Sequence, residues 1–219
     1  MMAKGLPYFF SLLLLALCWW PTMGFSFPSI ATKRMVNSYA REEISWASGL
    51  FYPGTDWAKS VEMINSSSGN YVWATEQKLR FEKYRYKSFD FRFGGNFQRI
   101  DSLNLNYQAL MLAVDLINNL YALHRHNIYT VATFGWSPRS QMKVYHPDIN
   151  EPDWTLYGIT RHVQLNVDWT YQFSQSWSVK TEAGYLYQKL SGWDKSPKFD
   201  PNQMVIQGPI LSFGLSYRL

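Results

Sequence analysis

Two histidine-containing stretches hold the residue types that acyl-transfer or metal chemistry would need. His162, preceded by Arg161, is the best candidate for a general base, because an imidazole between an acid and a serine can activate an oxygen nucleophile. Its nearest acid on the same face of an extended segment is Asp168, and six residues of strand separate the two by roughly 20 Å. They form no dyad, and only Glu182, on a neighbouring segment of suitable register, remains as a partner. His124 and His126 flank Arg125, but two imidazoles without a third ligand nearby do not make a zinc site; the triplet reads as a polar turn. Asp148, Glu151 and Asp153 lie close together without the spacing of a helix-loop calcium site, which leaves a solvated acidic loop. No phosphate-cradling Gly motif and no Gly-x-Ser-x-Gly elbow is present. The sequence therefore assigns no catalytic residue, no metal ligand and no cofactor.

The remaining ionisable residues are spaced by the elements that carry them. Among 219 residues, 47 % are hydrophobic, 18 % aromatic and only 17 % charged, with a mean hydropathy of −0.27. That mixture suits neither a helical membrane bundle nor a disordered chain. The formal net charge is +5 with no stripe of Lys or Arg, so nucleic acid is not an expected partner. Lys4, the apolar run Leu12–Leu17 and the small residues Thr22 and Gly24 make the three parts of a secretory signal. Cleavage after Gly24 is expected, with an uncleaved anchor as the rival reading. Residues 25–42 form an N-terminal extension, in which 33–43 could be a short helix. Cys18, the only cysteine, falls within the signal, so the exported chain lacks a thiol, as suits an oxidising periplasm.

From residue 40 onward, apolar side chains recur with period two, the mark of a strand with one apolar and one polar face. In 162–173, Val163, Leu165, Val167, Trp169, Tyr171 and Phe173 alternate with His162, Gln164, Asn166, Asp168, Thr170 and Gln172. Segments 88–98, 177–188 and 211–219 repeat the pattern, and 71–84 does so more weakly. Strands are predicted near 43–52, 71–84, 88–98, 103–121, 128–143, 155–173, 177–190 and 204–219. Short turns alternate with longer connections at 53–70, 144–154 and 191–203, as in an up-and-down barrel, with the short connection 99–102 as the exception. Residues 107–121 also fit an amphipathic helix. Their apolar phase changes near Ala109, so a strand there requires a bulge or an apolar patch in the lumen.

The expected fold is all-β: an antiparallel, up-and-down transmembrane barrel of about eight strands spanning 43–219. Segments 162–173, 177–188 and 204–219 reach the roughly 9–11 residues needed to cross hydrocarbon at a tilt. Trp46, Tyr71, Trp73, Trp169, Tyr171, Trp177, Tyr185, Tyr187 and Tyr217 lie on the apolar face near strand ends, where aromatic girdles meet the lipid boundaries. The polar faces then enclose Lys78, Arg80, Arg92, Lys180 and Arg218 together with Glu76, Glu82, Asp90, Asp168, Glu182 and His162. A balanced set enclosed together should form ion pairs, because unpaired buried charge is heavily penalised. An eight-stranded barrel is filled by its own side chains, so a plugged lumen is favoured over an open pore. Function then falls to the loops, the rim or the lipid-facing wall, and the loops carry Trp57 and Trp193 among polar residues.

The ending Ser212-Phe213-Gly214-Leu215-Ser216-Tyr217-Arg218-Leu219 resembles the terminal assembly signal of bacterial outer-membrane barrels. The resemblance is carried by Ser212, Gly214, Tyr217 and Leu219, with Leu rather than the common Phe or Trp in last place. Met111–Trp136, with His126-Asn127-Ile128-Tyr129 at its junction, is similar to the strand-turn-strand region of OmpA-like small barrels. These resemblances imply export to the bacterial outer membrane, contact with its lipid and lipopolysaccharide, and insertion by its assembly machinery. They imply no activity and leave the oligomeric state open. A role in envelope integrity, surface interaction or limited permeation is expected; a lipid A-modifying enzyme and a small channel are the alternatives. Leu165→Arg should impair assembly, since an outward cation near the midplane costs roughly 2–4 kcal/mol; a heat-modifiable gel shift reads the folded fraction.

Overall fold

Eight strands with one apolar face each can hide their backbone polar groups only by pairing all the way round, and the chain does so. The computed structural model describes residues 43–64, 74–86, 89–102, 104–145, 153–194 and 200–219. The expected signal and extension, Tyr71, Trp73, His146, Asp148 and Glu151 lie outside them, as does the side chain of Glu82. The strands are β1 (Glu43–Phe51), β2 (Ala74–Tyr86), β3 (Phe89–Asp101), β4 (Leu105–Leu123), β5 (His126–Val144), β6 (Trp154–Gln172), β7 (Trp177–Ser191) and β8 (Val205–Arg218). Each is antiparallel to the next, and β8 closes on β1 from Glu43↔Arg218 to Phe51↔Ile210. A closed barrel has no edge with unpaired N–H and C=O groups. We call the end where β1 begins and β8 finishes the base, and the other end the mouth.

β4 resolves the ambiguity of 107–121 in favour of strand. Leu105, Tyr107, Ala109, Met111, Ala113, Asp115 and Ile117 all point inward in one unbroken alternation, while Leu110 and Leu112 point outward at 69 and 70 % exposure. The apparent change of phase arises because both faces are apolar toward the mouth, so no bulge at Ala109 is needed. The nearby bulge lies in β5 instead. Register shifts between Ser137 and Ser140 against β6 and across Gln108/Leu112 against β4 leave Pro138 and Arg139 as the irregular residues. Proline has no N–H for the ladder, and a bulge is where a strand can hold one.

The connection after β1 was expected to be a plain loop and contains a helix, α1 (Thr55–Ile64). Trp57 and Val61, four residues apart, turn the same face of α1 onto the barrel core. The spacing is short enough that period-two reasoning passes over it. A 3-10 turn, Pro201–Gln203, precedes β8 and is capped by the Asp200 carboxylate accepting from the Asn202 amide. Trp193, expected at the rim, is buried instead: its indole donates to the Ile159 carbonyl at 3.1 Å and lies over Gly158. The Asn202 side chain fixes the Trp193 backbone on both sides, accepting from its N–H at 2.8 Å and donating to its carbonyl at 3.1 Å.

A Cβ added at Gly158 would sit 2.2 Å from the Trp193 ring, whereas one at Gly95 would meet only the Met111 carbonyl at 3.5 Å. Gly158→Ala should therefore displace Trp193 and lower stability by about 1–3 kcal/mol. Gly95→Ala should leave stability nearly unchanged. Urea unfolding of the two variants in detergent checks the difference.

Candidate functional site

Inward-facing residues stack into three layers along the barrel axis. Nearest the mouth the lumen is apolar: Phe51, Ile100, Leu105, Met111, Met142, Leu186, Leu190 and Ile206 are fully buried. Trp57, Tyr107 and Trp193 close this layer, with the Tyr107 ring 6.2 Å from each indole, edge-on to Trp57. The expected polar lumen is limited here to the layers below, since the mouth third is a hydrocarbon core inside the barrel, the apolar patch that a strand over 107–121 requires in place of a bulge at Ala109. Trp57 and Trp193 belong to that core rather than to a surface for partners.

Below it lies a polar layer. Tyr107 and Ser140 both bond to the Thr160 hydroxyl, at 2.9 and 2.8 Å. The Gln188 amide donates to Gln98 at 2.5 Å, and Gln98 and Asn96 donate to one oxygen of Glu76 at 2.7 and 3.0 Å. Glu76 joins this layer to the third, which is ionic.

In the ionic layer eight buried side chains alternate in sign along one continuous path. Glu76 lies 3.2 Å from Lys78, and Lys78 lies 2.6 Å from Glu182. Glu182 lies 2.5 Å from Lys180, which lies 2.9 Å from Asp168. Arg92 reaches Asp168 at 3.7 Å and Asp115 at 3.2 Å. Arg80 ends the path with a two-point grip on Asp115, Nε at 2.9 Å and Nη2 at 3.1 Å. The path starts and finishes on β2 after visiting β7, β6, β3 and β4. Four acids match four bases, so the low-dielectric interior holds no net charge from this set.

Asp115 was absent from the predicted inward set and is the hub for both arginines, also accepting from the Thr133 hydroxyl at 2.8 Å. Its signal lay in the uncertain segment: once Tyr107 and Ala113 are assigned inward, Asp115 must follow. Asp90 is buried on β3 one inward position nearer the base, opposite Ile117. Arg218 faces a basin at the base of about 50 Å³, lined also by Glu43, Arg92, Tyr129, Gln172 and Lys180. A second cavity, about 10 Å³, sits inside the ionic layer, which is space for about one water.

His162 is buried but joins no ion pair among the described residues. Its ring packs on Gly135, and neither ring nitrogen has a hydrogen-bond partner among the described residues. Register pairs His162 with Gln188, and Glu182 with Asp168, so Glu182 is not brought beside the imidazole. Arg161 points outward, away from its neighbour. Among the described residues no cluster of His, Cys, Asp and Glu could hold a metal ion.

The outer wall is apolar on every strand. Trp46, Phe81, Phe97, Leu110, Phe134, Val167 and Phe213 are among its exposed residues. At the base, the ring of His126 stacks on Trp169 at 5.8 Å and meets Tyr171 at 4.9 Å, and Trp177 meets Tyr217 at 4.8 Å. Tyr185 and Tyr187 face outward nearer the mouth. Of the C-terminal residues, Ser212 is inward and buried and Tyr217 outward. Gly214 lies where a Cβ would come 2.3 Å from the Trp46 carbonyl across the closing seam, and Leu219 is exposed.

No protein-family model and no curated protein matches the sequence. Among solved structures, the chain is similar to Neisserial surface protein A, at 14 % identity over 81 % of this chain and 97 % of that one, with a TM-score of 0.46. It is similar to a major outer membrane protein from Thermus thermophilus, at 14 % identity over 81 % and 99 %, TM-score 0.46. Ail, the attachment invasion locus protein of Yersinia pestis, is similar at 9 % identity over 82 % and 97 %, TM-score 0.40.

Removing one member of the ionic path strands its partners. Asp115→Ala should cost about 3–5 kcal/mol by leaving Arg80 and Arg92 underneutralised. The double variant Asp115→Ala with Arg80→Met should lose less than the sum of the two single losses. A double-mutant cycle on unfolding free energies in detergent measures the difference.

Proposed function

We propose that this chain is an integral barrel of the bacterial outer membrane, exported through a cleaved signal, with a plugged lumen and a role in envelope integrity or surface interaction. One observation carries the reading: large apolar side chains stand exposed around the whole barrel while the eight charged residues of the ionic path are enclosed. Water would not tolerate so extensive an apolar wall on a monomer; acyl chains would. The even strand count, the aromatic residues at the base and the strand lengths are those of a membrane barrel. In this reading the base faces the periplasm and the mouth, with α1, faces outward. Ser212, Gly214, Tyr217 and Leu219 would serve recognition by the assembly machinery, and outer-leaflet lipid and lipopolysaccharide would surround the wall.

The plug argues for a structural or adhesive role over permeation. A solute entering at the base meets the ionic path and then the apolar layer beneath Trp57 and Trp193. An ion crossing that layer would be stripped of water without replacement ligands. An enzymatic role finds no support, because the one buried histidine has neither an acid nor a nucleophile bonded to it among the described residues.

Two measurements test the reading. The purified barrel should require detergent for extraction and should run with heat-modifiable mobility; extraction without detergent would overturn the membrane assignment. Reconstituted into planar bilayers in its folded form, it should give no stepwise conductance, and discrete steps would replace the plug with a channel.

A further inference from the structure

The wall carries one concentration of charge that the apolar belt does not explain. Arg139, Arg161 and Lys189 are exposed on the outward faces of β5, β6 and β7, three consecutive strands. Arg161 and Lys189 are direct cross-strand partners, and like charges placed opposite each other destabilise a sheet. Arg139 sits in the β5 bulge, one strand over and nearer the mouth, its guanidinium 4.6 Å from the centre of the Tyr157 ring. Neither Arg161 nor Lys189 has an ion pair with a described residue. Asp194, just past the end of β7, spends an oxygen on the Tyr157 N–H at 3.0 Å. The contrast is Arg99 on β3, which is paired with Asp101 at 2.6 Å.

Height along the barrel says what lies opposite these cations. Arg161 is ten residues from Tyr171 of the base aromatics on the same strand, which at a typical tilt is roughly 25 Å of height, the thickness of the apolar band of a membrane barrel. The patch therefore marks the mouth-side edge of the belt, at headgroup level. Immediately below it, Val163, Leu165, Tyr185 and Tyr187 face outward, and Trp136 is the β5 partner of Arg161. Cations above an apolar and aromatic wall match an amphiphile with anionic head and acyl tails, and guanidinium groups suit phosphate geometry.

We propose that Arg139, Arg161 and Lys189 form a binding site for the phosphate groups of an outer-leaflet glycolipid, with its acyl chains lying along Trp136, Val163 and Tyr187. The site rests on the membrane reading above and gives it an oriented lipid partner on one side of the barrel. Bound phosphate removes the Arg161–Lys189 repulsion that the bare wall carries.

The test uses the full barrel in a non-ionic detergent, with bis-phosphorylated lipid A as the probe and native mass spectrometry as the readout. Wild type should retain lipid A, and should retain the same lipid after enzymatic removal of both phosphates at least about tenfold less. The variant Arg139→Gln, Arg161→Gln, Lys189→Gln, with its fold verified by heat-modifiable mobility, should lose the preference for phosphate, whereas Arg99→Gln should keep it. Millimolar inorganic phosphate should not compete. Equal retention of the two lipids by wild type would overturn the site, and that comparison needs no variant. Full competition by inorganic phosphate would also overturn it, by making the patch a simple anion site. Failure of the membrane reading would look different, as a wild-type chain soluble without detergent.

Discussion

Hydrocarbon supplies no hydrogen bonds, and the arrangement of this chain meets the constraint that the proposed membrane setting would impose. Every strand must find two neighbours, so β8 returns to β1 and the sheet closes. Closure divides the side chains into two populations by parity alone, outward and inward. The outward population is mostly Leu, Phe, Val, Trp and Tyr; among its polar exceptions Gln77 donates to Ser48 across the β1–β2 seam at 2.7 Å, while Arg161 and Lys189 face each other as like charges near the mouth. The inward population includes the charged residues that acyl chains would reject.

Enclosing that second population creates its own problem, because charges taken from water must be neutralised by one another. The path from Glu76 to Arg80 solves it with strict alternation of sign. Because it draws on five strands, the path depends on register: a one-residue slip of any of them would turn its charges to the outside. Toward the mouth, the lumen abandons polarity and packs as an ordinary core under α1. The barrel is thus anchored by ions near its base and by hydrocarbon near its mouth, and it is blocked at both.

Much of this was legible in the sequence wherever the two faces differ in chemistry. Segment 162–173 separates its residues cleanly, and β6 follows it; the boundaries of β7 and β8 were also close. Legibility failed where both faces are apolar. In β4 the inward Leu105, Tyr107 and Met111 and the outward Leu110 and Leu112 blur into a helix-like pattern, and Asp115 was lost with them. Trp57 and Trp193 were placed at the rim because loop position suggests exposure, and nothing local reveals that the mouth folds inward over the lumen. The ion partners were readable as a set but not as pairs, since pairing depends on which strand lies across the lumen, a long-range fact. His162 illustrates the reverse case: its inward position was readable, while its separation from Glu182 required the register.

A barrel so filled has little left to offer along its axis, which on the proposed reading moves the functional surfaces to its rim and its wall. The wall is where the physical claim is most exposed to measurement. Nitroxide labels at Val167 and Asn166, adjacent residues on opposite faces of β6, can be compared in lipid vesicles for collisions with oxygen and with a water-soluble nickel chelate. The label at Val167 should collide freely with oxygen and hardly at all with nickel, while the label at Asn166 should be shielded from both. A Val167 label open to nickel, or one shielded from oxygen by protein, would contradict the assignment of this face to lipid.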